Sequence, residues 1–199
     1  KPYRLMIYQT SQMKNLDNSQ NYLPPLQLIQ AEQAKRTFLD FVTFTFKEYE
    51  VNWHHKLLAD YLQRFAKGEI KKLMVFMPPQ HGKSELTSRR LPAYMLGLRP
   101  KLKIVGCSYS SDLSTSFNRD VQRIIDDEVY NSIFPQTRIN SKHIKTDSKG
   151  QYLRNSDMFE TIQHRGFYKS VGVGGSLTGT SVDVAIIDDP IKDAVEGNS

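Results

Sequence analysis

Two short clusters in the 199-residue chain carry groups suited to phosphate chemistry. The first is Gly82-Lys83-Ser84, inside the stretch MPPQHGKSEL, and the second is Asp188-Asp189, inside VDVAIIDDP. A residue without Cβ lets backbone N–H groups approach an anion, a lysine brings a point charge to β and γ oxygens, and a serine hydroxyl can ligate Mg²⁺. Met77 stands where the usual phosphate loop begins with glycine, so the tripeptide alone carries little weight. Pro78 and Pro79 have no N–H, and the donors must come mainly from Gln80 through Ser84. The nucleotide-binding stretch is therefore read as Pro79, Gln80, His81, Gly82, Lys83, Ser84 and Glu85.

The acidic pair follows four apolar residues, as carboxylates at the carboxyl end of a buried parallel strand would. One such carboxylate can hold Mg²⁺, usually through water, while its neighbour polarises the water that attacks a γ-phosphate. Successive strand residues face opposite ways, so the two acids must do different things. Asp-Asp-Pro is also an ordinary exit from a strand into a turn. Together with Lys83, 105 positions upstream (188 minus 83), the pair describes an NTPase.

The elements that must position these groups can be read from periodicity. KLMVFM, ending at Met77, reads as a strand that delivers the loop, and a helix is expected from Ser84 to about Leu96, closed by Gly97. KIVGCS reads as a strand and about Asp112 to Asp126 as a helix, so strand and helix alternate as in a parallel sheet with crossovers. Upstream, an amphipathic helix is expected from Leu26 to Tyr49 and another from near Asn52 to Gly68. Residues 1–25, rich in Asn, Gln and Ser and ending in two prolines, read as an appended arm. Between Ile139 and Val173, short alternating pieces separated by polar turns suit a small antiparallel meander, and a glycine-rich loop, GVGGSLTG, leads on to the acidic pair. Residues 1–50 are assigned to the arm and a lid-like helix, and 51–199 to an ATPase core.

Composition bounds the alternatives. With 39% hydrophobic and 24% charged residues, the chain is ordinary globular material. Its apolar runs are too short to span a bilayer, and no secretory leader layout is visible. Cys107 is the only cysteine, which excludes an internal disulfide and a thiolate zinc site. A soluble, unexported, cytosolic chain is expected, and its net charge of +6 is compatible with a polyanionic partner.

Three blocks in order now carry a family resemblance: WHHKLLADYLQRFAKGEIKKLMVFMPPQHGKSELTSRRLPAYMLG, CSYSSDLSTSFNRDVQRII and GVGGSLTGTSVDVAIIDDPIKDA. From about Trp53 to Ala194 the chain resembles the N-terminal ATPase domain of a tailed-phage terminase large subunit, the DNA-packaging motor. The resemblance implies an α/β fold: a mainly parallel RecA-like P-loop sheet flanked by helices, with the meander and the N-terminal helical segment added. It implies ATP hydrolysis with Mg²⁺, driving double-stranded DNA into a prohead. The implied partners are the DNA, the portal protein, the small terminase subunit and further copies of the chain in a ring. The implied setting is the host cytoplasm, transiently at the portal vertex, with no membrane partner and with a nuclease domain beyond this segment.

Carried over by position, Lys83 and Ser84 are the Walker A lysine and Mg²⁺ ligand, Asp188 the Walker B metal carboxylate and Asp189 the catalytic carboxylate. Many relatives have glutamate at the last position. The family loop commonly carries an arginine where this chain has Gln80, so an arginine from a neighbouring subunit is expected to complete the site. The candidates are Arg119, Arg123, Arg154 and Arg165. The resemblance also puts Trp53 or His54 near the base, although a core tryptophan fits equally, and sets the 172–179 loop near the nucleotide.

Other features have plainer readings. The stripe Phe38, Phe41, Phe44, Phe46 and Tyr49 suits core packing, and adjacent His54 and His55 diverge on a helix, which argues against a metal pair. Lys71-Lys72 and Arg89-Arg90 are equally DNA contacts or solvated faces. Two other functions stay open: a nucleotide-binding interaction module without turnover, and a helicase-like ATPase on the same core.

Overall fold

A computed structural model describes residues 25–142, 151–177, 179 and 181–191. The arm expected over residues 1–24 lies outside the described residues.

The expected helix over 26–49 is two helices. α1 (Pro25–Arg36) ends before Thr37, which takes an extended conformation (φ −125°, ψ 139°) and caps α2 (Phe38–Thr45) by accepting from the Asp40 N–H. A side-chain oxygen that satisfies a first-turn N–H makes this break favourable where periodicity alone would run on. α2 buries Phe38, Phe41 and Val42 completely, and its rings meet Tyr94, Tyr130 and Phe134 at centroid separations of 5.2–6.1 Å, the core packing expected of this aromatic stripe. α3 (Trp53–Ala66) starts after Asn52, as expected, and turns off through Gly68 at φ 82°.

Residues 71–78 differ most from expectation. Leu73, Val75 and Met77 are partly buried against the core, while Met74 and Phe76 are 79% and 86% exposed, so the stretch has the alternation of a strand. It makes no ladder, because a wide cleft separates it from the nearest strand. The helix after the loop opens as a π-helical segment, Glu85–Arg90, before continuing as α4 (Leu91–Leu98). π-turns of this kind are frequent at functional sites.

β1 (Lys103–Ser108) is followed by α5 (Ser111–Asp126), whose N-cap Ser110 accepts from the Leu113 N–H, and then by α6 (Glu128–Ile133). β2 (Met158–Glu160), β3 (Phe167–Gly172) and β4 (Val184–Asp188) complete a four-stranded sheet in the order β2-β3-β1-β4. β1 runs parallel to both β3 and β4, whereas β2 and β3 are antiparallel. The described sheet is thus small and mixed within an α/β fold flanked by helices: β1 pairs in parallel on both sides, and a clear mainly parallel RecA-like sheet is not formed among the described residues. The antiparallel β2–β3 pair, with isolated bridges at Ile139–Thr161 and Arg154–Phe159, stands where the meander was expected.

Helices gather on the sheet face that carries Ile104, Tyr168 and Ile186, where α2, α4, α5 and α6 supply Phe41, Tyr94, Val121 and Tyr130 to one core. Val105, Phe167 and Val171 form a smaller cluster apart from it. No helix among the described residues is long and apolar enough to cross a membrane.

Candidate functional site

The loop at 79–84 holds a shape that its side chains and its floor both determine. Gln80 and Gly82 have φ of 61° and 80°. Gln80 therefore takes a left-handed conformation that glycine adopts more cheaply, and such strain in a non-glycine residue is a mark of functional loops. Beneath the loop, His55 Nδ1 lies 3.1 Å from both the Asn52 N and the Glu50 carbonyl, and its Nε2 lies 3.1 Å from the His81 carbonyl. The carbonyl of Pro79 and Nδ1 of His81 lie 2.7 Å apart, closing the turn. A Cβ at Gly82 would stand 2.9 Å from His55 Nε2 and 3.0 Å from the Tyr49 hydroxyl. That hydroxyl is buried without a hydrogen-bond partner, and burial followed by the nearby Glu85 charge pushes its pKa up to about 12.

β4 brings the acids to the loop. Asp188 is 6% exposed at the side chain and accepts from Ser88 Oγ at 2.8 Å, while Asp189, in the left-handed region at φ 45°, is 62% exposed. Lys83 Nζ lies 2.5 Å from Asp189 Oδ1 and 3.4 Å from Asp188 Oδ1. Burial lowers the pKa of this ammonium, but the hydrogen bond to Asp189 and the two carboxylate charges outweigh it, and the net shift is upward. One lysine, 105 and 106 positions upstream of the two acids (188 minus 83 and 189 minus 83), thus joins both in one ion-pair cluster. A cleft of ≈ 1080 Å³ runs between residues 71–78 and β4 and opens onto Lys83, Asp188 and Asp189 at one end.

The remaining expected residues separate. Trp53 is 76% exposed, its ring edge-on to His54 at 5.6 Å, and His54 lies 5.8 Å from the His81 ring. Trp53 is therefore no core tryptophan. Burial and then the neighbouring His55 and His81 hold the His54 pKa below its ordinary value. Glu85 is held by Arg90 at 2.7 Å and Arg89 at 3.6 Å. Arg154 is tied to Asp126, to the Asn140 carbonyl and to Gln122, and only 14% of its side chain is exposed. Arg123 bonds Asp120, and Arg165 pairs with Glu160. Arg119 is exposed on α5.

Ser88, His55, Tyr49 and Ser108 escaped the sequence reading. Ser108 is completely buried without a hydrogen-bond partner and sits opposite Asp188 in the β1–β4 register. Its backbone and that of its neighbour fasten two loops, since Val173 N donates to Ser108 O at 2.9 Å and Tyr109 N to Asp189 O at 3.2 Å. Only the spacing of Ser88, one helical turn beyond Ser84, was available as a signal.

Hard oxygen donors on Asp188, Asp189 and Ser84 suit Mg²⁺, which takes few protein ligands and keeps water and substrate oxygens for the rest. No cluster of three or more His, Cys, Asp or Glu suited to a metal occurs among the described residues. In comparisons with known proteins, the family model for "Terminase large subunit, T4likevirus-type, N-terminal" matches residues 74–199. No curated protein matches the chain.

Proposed function

The chain belongs to the T4-like type of terminase large subunit N-terminal regions, a family that implies a role in viral DNA packaging, and from that premise we propose that it binds and hydrolyses ATP to drive DNA translocation. The observation that carries this reading is the meeting of Lys83 with Asp188 and Asp189 at the carboxyl end of β4.

In this proposal the N–H groups from Gln80 to Ser84, with the helix that begins behind them, hold the β- and γ-phosphates. Lys83 exchanges its carboxylate partners for phosphate oxygens and offsets the charge that develops on the transferring group. Mg²⁺, when bound, would be held by Asp188 and Ser84 and would neutralise phosphate charge. Ser88 fixes the Asp188 carboxylate, so that acid is held in one orientation. Asp189, exposed and freed when Lys83 turns to substrate, accepts the proton of the attacking water. Trp53 and His54, beside His81, offer a face for the base. DNA, portal protein, small terminase subunit and neighbouring copies are the partners this function requires.

Magnesium-dependent phosphate release by the assembled ring tests the proposal. Lys83→Ala should lower turnover by about 100-fold or more, the scale of losing one charge-stabilising group. Nucleotide binding without turnover in an assembled wild-type ring would overturn it in favour of a binding module.

A further inference from the structure

A second concave surface lies at the opposite end of the strands from the phosphate loop. It is a groove of ≈ 880 Å³ between the end of α3 and the connection from α4 to β1. Its lining includes four basic residues, Lys71, Arg99, Lys101 and His164, against one acid, Asp183. That acid is already engaged, because Asp183 Oδ2 accepts from the Lys103 N–H at 2.9 Å and Asp183 N donates to the Lys103 carbonyl at 2.9 Å. Arg99 spends one N–H on the Ala66 carbonyl at 2.6 Å. Lys71 and Lys101 are exposed and have neither a hydrogen bond nor an ion pair among the described residues. Two unpaired lysines from separate segments thus line one groove.

We propose that this groove holds the phosphate backbone of double-stranded DNA, with Lys71 and Lys101 each neutralising a phosphate. Such contacts need only positive charge at the right spacing, and they position a duplex without reading its sequence. The inference rests on membership of a DNA-packaging family and not on the nucleotide reading. The topology gives the contact a route to the first site. The segment that starts at Lys71 ends twelve residues later (83 minus 71) at Lys83, and Asp183 directly precedes β4, which ends at Asp188. The larger cleft is bordered by both segments along their length.

The experiment is nucleotide-free binding of the chain to a labelled duplex across a salt series. Lys71→Ala/Lys101→Ala should weaken binding and lower the slope of log affinity against log salt by about 1.8, at roughly 0.9 for each lost phosphate contact. Lys47→Ala/Lys56→Ala, exposed lysines elsewhere that remove equal charge, should lower it far less. Equal effects from the two pairs, an unchanged slope in the groove variant, or no duplex binding by the wild type would overturn the proposal. So would loss of polyglutamate binding with DNA affinity retained, which would assign the groove to an acidic protein. Loss of ATP turnover on Lys83→Ala leaves this measurement untouched, so failure of the nucleotide reading is separately visible.

Discussion

Gly82 combines two demands that any side chain violates. Its backbone is left-handed at φ 80°, and a Cβ would press on His55 Nε2 and the Tyr49 hydroxyl. Gly82→Ala is expected to cost about 1–3 kcal/mol, the scale of a strained backbone residue, and to shift the loop that carries Lys83. Thermal melts with and without nucleotide check both effects: a variant with wild-type stability and wild-type binding would show that the floor does not shape the loop. Residue types and their flanking pattern picked out Lys83 and Asp188-Asp189, and the structure brings these three side chains together. Ser88 and His55 were not announced, since a serine and a histidine acquire their roles here only from what stands opposite them, the Asp188 carboxylate and the His81 carbonyl.

At the scale of elements, close approach between the β2–β3 connection and the entrance to β1 holds the sheet edge. A Cβ on Gly166 would lie 2.1 Å from the Pro100 carbonyl and 2.7 Å from the Leu102 carbonyl, both backbone atoms that cannot swing away. Phe167 N donates to the Leu102 carbonyl at 2.9 Å and Thr161 Oγ1 to the Pro100 carbonyl at 2.6 Å. Gly166→Ala should therefore separate β3 from the start of β1 and lower the unfolding midpoint in denaturant by the equivalent of about 1–3 kcal/mol, the usual cost of overpacking. An unchanged midpoint would show that the connection relaxes freely. Helix α3 was legible because a clear period follows the Asn52 cap, strand β1 from the KIVGCS run, and helix α5 from its period beginning near Asp112. The break at Thr37 was not, because the apolar period of Phe38, Phe41 and Val42 continues smoothly across a residue whose capping depends on one local hydrogen bond.

At the scale of the whole molecule, the proposed hydrolysis calls for a further positive group beside Lys83, and the loop carries Gln80 at the position where the family resemblance implies an arginine. Of the four candidate arginines, Arg154 is locked in a mostly buried network, Arg123 bonds Asp120 and Arg165 pairs with Glu160. Arg119 is exposed and its side chain makes no hydrogen bond or ion pair among the described residues, which makes it the first candidate to test. Arg119→Ala is expected to reduce hydrolysis by the assembled ring by about 10³-fold, the lower range for an arginine supplied in trans, while nucleotide affinity in the isolated chain stays constant. Ring hydrolysis at the wild-type rate would remove Arg119 from the site.

The residue types at Lys83, Ser84, Asp188 and Asp189, their order, and the family they indicate were determined by the sequence itself, because each motif is a local run of residues that the chain carries whatever its fold. Tertiary structure decided what no linear pattern contains. KLMVFM has a strand's alternation but forms no ladder, since pairing needs a neighbour across a gap that the sequence does not measure. Nor does the sequence measure which of two adjacent acids is enclosed: Asp188 is buried against Ser88 and Asp189 is left open to water, a difference set by the helix that packs over one side of β4.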